Sequence, residues 1–494
     1  MKKLKTFLVV RLTLIGCFVL LSIPWGSSLY KKPFIEDAWY GFSIARNIAD
    51  GFGITIDGSQ QTNGFQPLQV FIDSIVFSLT KSDNVALIII FTSRLLLHIT
   101  SAYIFESILK KVLTGRELKG ISTVGFAVYL FNPAIIPNAL NGVETGLVLL
   151  FVLLFIKVNI KGDLNTYDET IFRGVVLYGT ILIYARIDMY ILVVTFLMLS
   201  LMKYSYVIVF KTSISIFVLT LPWFLYNYIN FASIIPISGQ QQQDIELSAF
   251  RLTHLVKAIT FNLSPWIGST YSQSELKIEI ITAFLRGICF FWIVSVITSS
   301  LKRHKKNPIP PRLNLVLVAI AISLTILSSY YLVATFATWF YPRYTALFAP
   351  LMLILLFLIV DDLKRRQKVT ALFALLISVY VFYTGYHARG FENGLFQDQV
   401  KLVLKTVPSS EIVGARQSGT LGYNRGRVVN LDGKVNPVAP RDEGSMERYL
   451  EANNINYLCD WPSELNKIIS SQRTSWEIVA SSPTVNCVKR VGAG

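Results

Sequence analysis

The chain has 494 residues, 53% hydrophobic, 13% aromatic and only 15% charged, with a mean hydropathy of +0.51. Such a composition excludes a soluble globular protein and describes a chain that crosses a membrane many times. The net charge of +16 does not imply nucleic acid as a partner: from His387 onward 13 Lys and Arg meet 11 Asp and Glu, leaving 33 against 19 for the apolar part, where basic loops mark the cytoplasmic side.

Lys2, Lys3, Lys5 and Arg11 put the N-terminus in the cytoplasm. The opening resembles a secretory signal, and Leu14-Ile15-Gly16-Cys17 resembles a lipoprotein cleavage site, yet the apolar run continues to about Leu29. That length suits an uncleaved first transmembrane helix, which needs ~20 residues. The next stretch, 30–69, reads YKKPFIEDAWYGFSIARNIADGFGITIDGSQQTNGFQPLQ and emerges on the outer side. Trp39, Phe42, Ile44, Ala45 and Ile48 fall along one side of a helix while Arg46, Asn47 and Asp50 face elsewhere, which predicts a helix lying on the membrane surface. Glu36 and Asp37 open that helix, a placement suited to a general base or to holding a metal or polar substrate. Plain N-capping by Asp37 is the alternative. The apolar run 67–79 is too short to span and is read as a second interfacial helix inside a first outer loop of 30–84.

The run 85–109 ends in Lys110, Lys111, Arg116 and Lys119 and so returns to the inside. Runs at 121–136, 146–156, 175–185, 190–202, 207–228, 280–297, 313–332, 345–360 and 371–386 then alternate, giving about eleven spans with every basic loop on one side. A second large outer loop covers 229–279, and LKRHKKNPIPPR at 301–312 is the most basic inner loop. His98 lies in mid-span beside leucines and reads as a packing histidine. Residues 1–386 form the membrane module. The tail, 387–494, alternates short Val/Ile-rich runs with helical spacing and predicts a small α/β domain outside the membrane. Cys17 and Cys289 sit in apolar runs; Cys459 and Cys487 are the cysteines of the tail, and their pairing stays open. The fold class expected is mainly α: a polytopic helical membrane protein with interfacial helices and a small C-terminal α/β domain.

The acids of the membrane module fall at the outer ends of spans: Glu36 and Asp37, Glu144, and Asp188. Arg186 and Arg343 lie at similar depth, and Lys257 lies in the second outer loop. Together they offer carboxylates for a base or a metal, and cations for a phosphate. No Walker loop, GxGxxG after a strand, GxSxG or metal-type Cys/His cluster is present in the sequence, so a substrate delivered through the lipid fits better than nucleotide-driven chemistry.

The order of EDAWYGFSIARNIADG, GFGITIDGSQQTNGFQPLQ and NGVETG resembles the polytopic GT-C glycosyltransferases, in particular the bacterial branch with AftB-type arabinosyltransferases. The tail segment LGYNRGRVVNLDGKVN is similar to one that recurs in the extracytoplasmic domain of that branch. The resemblance implies inverting transfer of a sugar from a polyprenyl-phosphate donor to a glycan, lipid or protein acceptor, at the outer face of the bacterial cytoplasmic membrane. It implies Asp37 or Glu36 as the base, with Glu144 as a further catalytic acid. It also implies substrate binding by Arg186, Asp188, Arg343 and Tyr344, to which Asn63 and Gln66 of the first outer loop and Lys257 are added. The Arg-Pro-Asp turn of the family is Arg186-Ile187-Asp188 here. A divalent cation, Mg or Mn, is the cofactor to test, with Asp37 and Glu144 as its ligands. The competing readings are a transporter or flippase for a lipid-linked glycan, which calls for charges at the midplane of broken helices, and a glycan polymerase or ligase with a similar layout.

Overall fold

The computed structural model describes residues 2–24, 28–113, 121–160, 169–263, 311–336, 338, 341–360, 394–440, 442–470 and 474–491. The predicted spans at 280–297 and 371–386, and the basic segments 301–310 and 361–368, lie outside them.

Long runs of Leu, Ile, Val and Phe form the helical bundle. Its elements begin with α1 (Lys2–Ser22), α2 (Glu36–Ala49), α3 (Pro67–Leu79), α4 (Asp83–Val112), α5 (Ile121–Leu130) and α6 (Ile135–Leu140). They continue with α7 (Thr145–Asn159), α8 (Glu169–Ala185), α9 (Tyr190–Ser200), α10 (Tyr206–Phe231), α11 (Ile237–Gln241) and α12 (Ala249–Leu263). After α12 come α13 (Pro311–Ala334), the short turn α14 (Tyr341–Tyr344) and α15 (Phe348–Val360). Among the described residues, 3 helices are long and apolar enough to cross a membrane: α4, α10 and the segment Arg312–Ala334 of α13. Shorter apolar helices, including α7, α8, α9 and α15, pack with them around one core.

The run expected as a single span at 121–136 is divided. Pro133 cannot continue a helix, and the Asn132 side chain accepts hydrogen bonds from the Ala134 and Ile135 amides at 2.9 and 3.1 Å, so α5 ends and α6 starts anew. The bundle also buries an ion pair: Arg94 of α4 donates to both oxygens of Asp73 on α3 at 2.7 and 3.0 Å, with both side chains only 1% exposed. Removing one member of such a pair costs about 3–5 kcal/mol, so it fixes α3 against α4.

The stripe on α2 does not lie on a membrane surface. Trp39, Phe42, Ile44 and Ala45 are fully buried, and Trp39 and Phe42 pack against Phe34 and against Tyr423 of the tail. Protein covers the face that periodicity alone assigned to lipid; Arg46 closes the rim, donating to Asp83 and lying 4.3 Å over the Tyr423 ring.

The tail folds as α16 (Gly394–Thr406), β1 (Ile412–Ala415), α17 (Gly419–Arg425), β2 (Val428–Asn430), α18 (Glu443–Ala452), β3 (Ile455–Asp460), α19 (Pro462–Ile469), β4 (Trp476–Ser481) and β5 (Asn486–Arg490). The strands make one sheet in the order β2-β1-β3-β5-β4, parallel from β2 through β3 and antiparallel beyond. Alternation along the strands sends Val413 and Cys459 to one apolar face and Leu458 to the other. Cys459 and Cys487 are register partners on β3 and β5 and form a disulfide. The chain leaves the C-terminal ends of the parallel strands in the loops 416–418 and 431–436, and these are the loops that meet the membrane module, the edge at which α/β sheets commonly place a binding site.

Candidate active site

The NGVETG turn sets the position of α2. The Ile35 amide donates to the Asn141 carbonyl at 3.1 Å, and Gly142 sits at φ +86°, where a Cβ would come within 2.7 Å of Ala38 and 2.8 Å of Phe34. Only glycine meets both conditions. At Gly146 a Cβ would lie 3.0 Å from the Ala139 carbonyl oxygen, so the second glycine lets α7 start tight against α6. Glu144 is thereby held beside α2, 6% exposed, and its carboxylate does not cap its own helix.

Asp37 and Glu36 point in different directions, as neighbours on a helix must, about 100° apart. Asp37 accepts from Arg343 Nη1 at 3.0 Å across 306 residues of sequence, and its side chain stays 30% exposed. Arg343 is presented by α14, which Asn262 of α12 holds by donating to the Pro342 carbonyl at 3.0 Å and to the Thr345 hydroxyl at 2.8 Å. Burial alone would push the Arg343 guanidinium down, but the Glu144 and Asp37 carboxylates more than reverse this and hold it above its ordinary value. Arg186 behaves alike: burial is outweighed by Asp188, which it grips through both oxygens at 2.7 and 2.9 Å, with Glu144 adding to the effect. Arg186 also donates to the Arg343 carbonyl at 3.3 Å. Tyr331 donates to Asp188 and stacks on Tyr344 with ring centroids 4.0 Å apart.

The structure thus brings Asp37, Glu144, Arg186, Asp188, Arg343 and Tyr344 into one constellation of alternating charge at one end of the bundle. The side-chain amides of the first outer loop instead hold backbone. Gln66 accepts from the Ile187 amide at 3.1 Å and fixes the Arg186-Ile187-Asp188 turn; Asn63, fully buried, accepts from the Ile237 amide at 3.0 Å and ties the first loop to α11. Lys257 lies half-buried on α12.

Glu36 faces the tail. Its carboxyl accepts from the Gly419 amide at 2.6 Å, the Thr420 amide at 3.1 Å and the Thr420 hydroxyl, at the start of α17. A Cβ on Gly419 would lie 2.8 Å from the Glu36 carbonyl oxygen, so glycine admits the contact. Burial pushes the Glu36 carboxyl up to about 7 against these hydrogen bonds. With its oxygens engaged by α17, Glu36 docks a domain and does not open toward Arg343.

A divalent cation would need ligands beyond Asp37 and Glu144. Arg343 already occupies the Asp37 carboxylate, and among the described residues no group of three or more His, Cys, Asp or Glu could hold a metal. Residues that the sequence reading missed are Tyr331, Gln242, which accepts from the Tyr344 hydroxyl at 3.3 Å, and Lys434. The NLDGKVN segment, part of the tail stretch quoted for its resemblance, was the available signal for the last.

No protein-family model matches the sequence, and no curated protein matches it. Solved structures do. ArnT from Cupriavidus metallidurans, in the apo state, is 11% identical with a TM-score of 0.50 over 99% of this chain and 97% of its own. The Archaeoglobus fulgidus oligosaccharyltransferase in complex with Zn and sulfate is 14% identical, TM-score 0.55, over 92% of this chain and 68% of its own. The oligosaccharyltransferase AglB of that organism, with an inhibitory peptide and a dolichol-phosphate, is 13% identical, TM-score 0.53, over 93% and 70%. At these identities the likeness is one of fold: the chain shares the fold of ArnT and of the archaeal oligosaccharyltransferase.

Proposed function

We propose that this chain is an inverting glycosyltransferase that moves a sugar from a polyprenyl-phosphate donor to a cell-envelope acceptor, with Asp37 as general base. The observation that carries this reading is the Asp37–Arg343 pair, with Glu144 and Arg186 beyond it, on a GT-C-like fold. The acceptor hydroxyl attacks the anomeric carbon from the side opposite the phosphate. As the new glycosidic bond forms, the hydroxyl proton passes to Asp37. The bond from the anomeric carbon to the phosphate oxygen breaks, and its electron pair stays on the lipid phosphate. That leaving group departs as an anion, so it needs cations more than an acid, and Arg343 and Arg186 supply them in a site largely closed to water. Glu144 acts electrostatically on both guanidiniums and favours their charged form. No step is routed through a metal.

The topology that serves this chemistry has about eleven spans, a cytoplasmic N-terminus and an extracytoplasmic tail at the bacterial inner membrane. The Cys459–Cys487 disulfide supports the tail's placement, since such bonds persist in oxidising compartments. The test is sugar transfer from labelled polyprenyl-phosphate sugars in membranes holding the wild type, Asp37→Asn and Glu144→Gln. Asp37→Asn is expected to lose about 100-fold or more at unchanged protein level. Equal transfer by Asp37→Asn and the wild type would remove Asp37 from the mechanism.

A further inference from the structure

The loop 430–436, which leaves the C-terminal end of β2, is wedged between both loops of the membrane module. A Cβ on Gly64 would lie 2.0 Å from the Lys434 carbonyl oxygen, and a Cβ on Gly433, at φ +75°, would lie 2.6 Å from Gln241 Nε2. Glycine at each position permits backbone contact on one flank and the tight turn on the other. The turn is rigid: the Asn430 side chain accepts from the Gly433 amide at 3.1 Å, Asp432 accepts from the Lys434 amide at 2.9 Å, and Asn436 donates to the Asn430 carbonyl at 2.9 Å.

What this turn presents is one ammonium group. Lys434 Nζ pairs with Asp432 at 3.1 Å; the Asp432 side chain is 5% exposed and that of Lys434 27%. A lysine has three donors, and this pair uses part of that capacity, leaving Nζ able to bind a further anion. The ammonium stands within Coulombic reach of Asp37: burial would lower its proton affinity, but Asp432 and then Asp37 hold it above the ordinary lysine value. Next to Gln241, Gln242 accepts from Tyr344, so the turn is linked through the end of α11 to α14, which carries Arg343. Nothing in the membrane module requires a cation at this point, because Arg343 already neutralises Asp37.

We infer that Lys434 is a phosphate-binding residue of the donor site, supplied by the C-terminal domain, so that the site is complete only when that domain is docked. This rests on the proposed glycosyltransferase reading. Arg343 and Arg186 approach the leaving phosphate from the bundle, and Lys434 approaches it from above as a mobile-stemmed point charge on a fixed turn. The ligand chemistry is a phosphate monoester anion on a lipid, the product side of the transfer.

The test uses the purified full-length protein in nanodiscs and a fluorescent polyprenyl phosphate, with the matching polyprenyl alcohol as the uncharged control. Lys434→Gln and Lys434→Met are expected to weaken polyprenyl phosphate binding about tenfold, as loss of one charge-assisted contact does, and to leave the alcohol unchanged; Lys434→Arg restores most of it. In transfer assays the donor KM rises while the acceptor KM stays. Wild-type binding of the phosphate over the alcohol, with equal binding by both neutral variants, overturns the role of Lys434 and leaves the glycosyltransferase reading standing. A rise confined to the acceptor KM also overturns it. A wild type that does not distinguish phosphate from alcohol fails the parent reading itself. Hydrogen exchange over 419–425 checks docking, and Lys434→Met, which retains the stem's packing, carries the test if Lys434→Gln undocks the domain.

Discussion

Replacing Glu36 separates domain docking from chemistry, two roles that its sequence position merges. In Glu36→Ala the Gly419 and Thr420 amides lose their acceptor in a buried seam, at about 1–3 kcal/mol each. The tail should therefore loosen by about 2–6 kcal/mol. Glu36→Gln keeps an acceptor oxygen for both amides and an N–H for the Thr420 hydroxyl, and should cost no more than about 1.5 kcal/mol. The acid also carries a pH dependence. Its pKa rises from 4.5 to about 7 on folding, mainly by burial, so the folded state binds the proton that the unfolded state has released. Stability is thus fully present below 4.5 and falls as pH climbs through about 7, by about 3 kcal/mol in total. Hydrogen exchange over 419–425 between pH 5 and 8 reads this directly. Glu36→Gln should flatten the profile and retain sugar transfer. Unchanged exchange in Glu36→Ala, or a loss of transfer in Glu36→Gln as deep as in Asp37→Asn, would refute the docking role.

Arg343→Lys keeps the charge but not the planar fork whose Nη1 meets Asp37; transfer should fall about tenfold to 100-fold with little change in melting temperature. Gly142→Ala forces a side chain into a left-handed backbone and against Ala38 and Phe34, and should cost about 2–4 kcal/mol in thermal or denaturant unfolding, with transfer falling because α2 shifts. Cys459→Ser opens a cross-link with a sequence separation of 28, worth about 3.5 kcal/mol, and should make the tail the first segment cut in limited proteolysis. Asp460, whose carboxyl burial raises to about 7, accepts from the Arg416 and Gln417 amides that lead into α17. Its raised value has the same sign as that of Glu36, so Asp460→Asn should flatten what remains of the alkaline loosening.

The sequence by itself determined the class of molecule and which ionisable residues interrupt its apolar runs. Leucine-rich runs long enough to leave water form the bundle, and acids that interrupt apolar runs mark one end of it, because ionisable groups persist there only for cause. Asp37, Glu144, Arg186, Asp188 and Arg343 stood out in the sequence as ionisable residues at the ends of apolar runs, and the α/β tail stood out from its alternating periods. Asn63 and Gln66 were legible as important but not as struts, since a buried amide and a ligand-facing one look alike in sequence.

Tertiary structure alone decided which faces meet. Periodicity gave α2 an apolar stripe but could not say whether lipid or protein covers it; Tyr423, from the far end of the chain, does. It also could not choose between adjacent acids, because what separates them is about 100° of helix turn and partners 306 and 383 residues away. The same holds for the tail, which carries Gly419 to Glu36 and Lys434 to Gly64. Local pattern encodes the shape and polarity of each surface, whereas the pairing of surfaces is a non-local minimum over the whole chain.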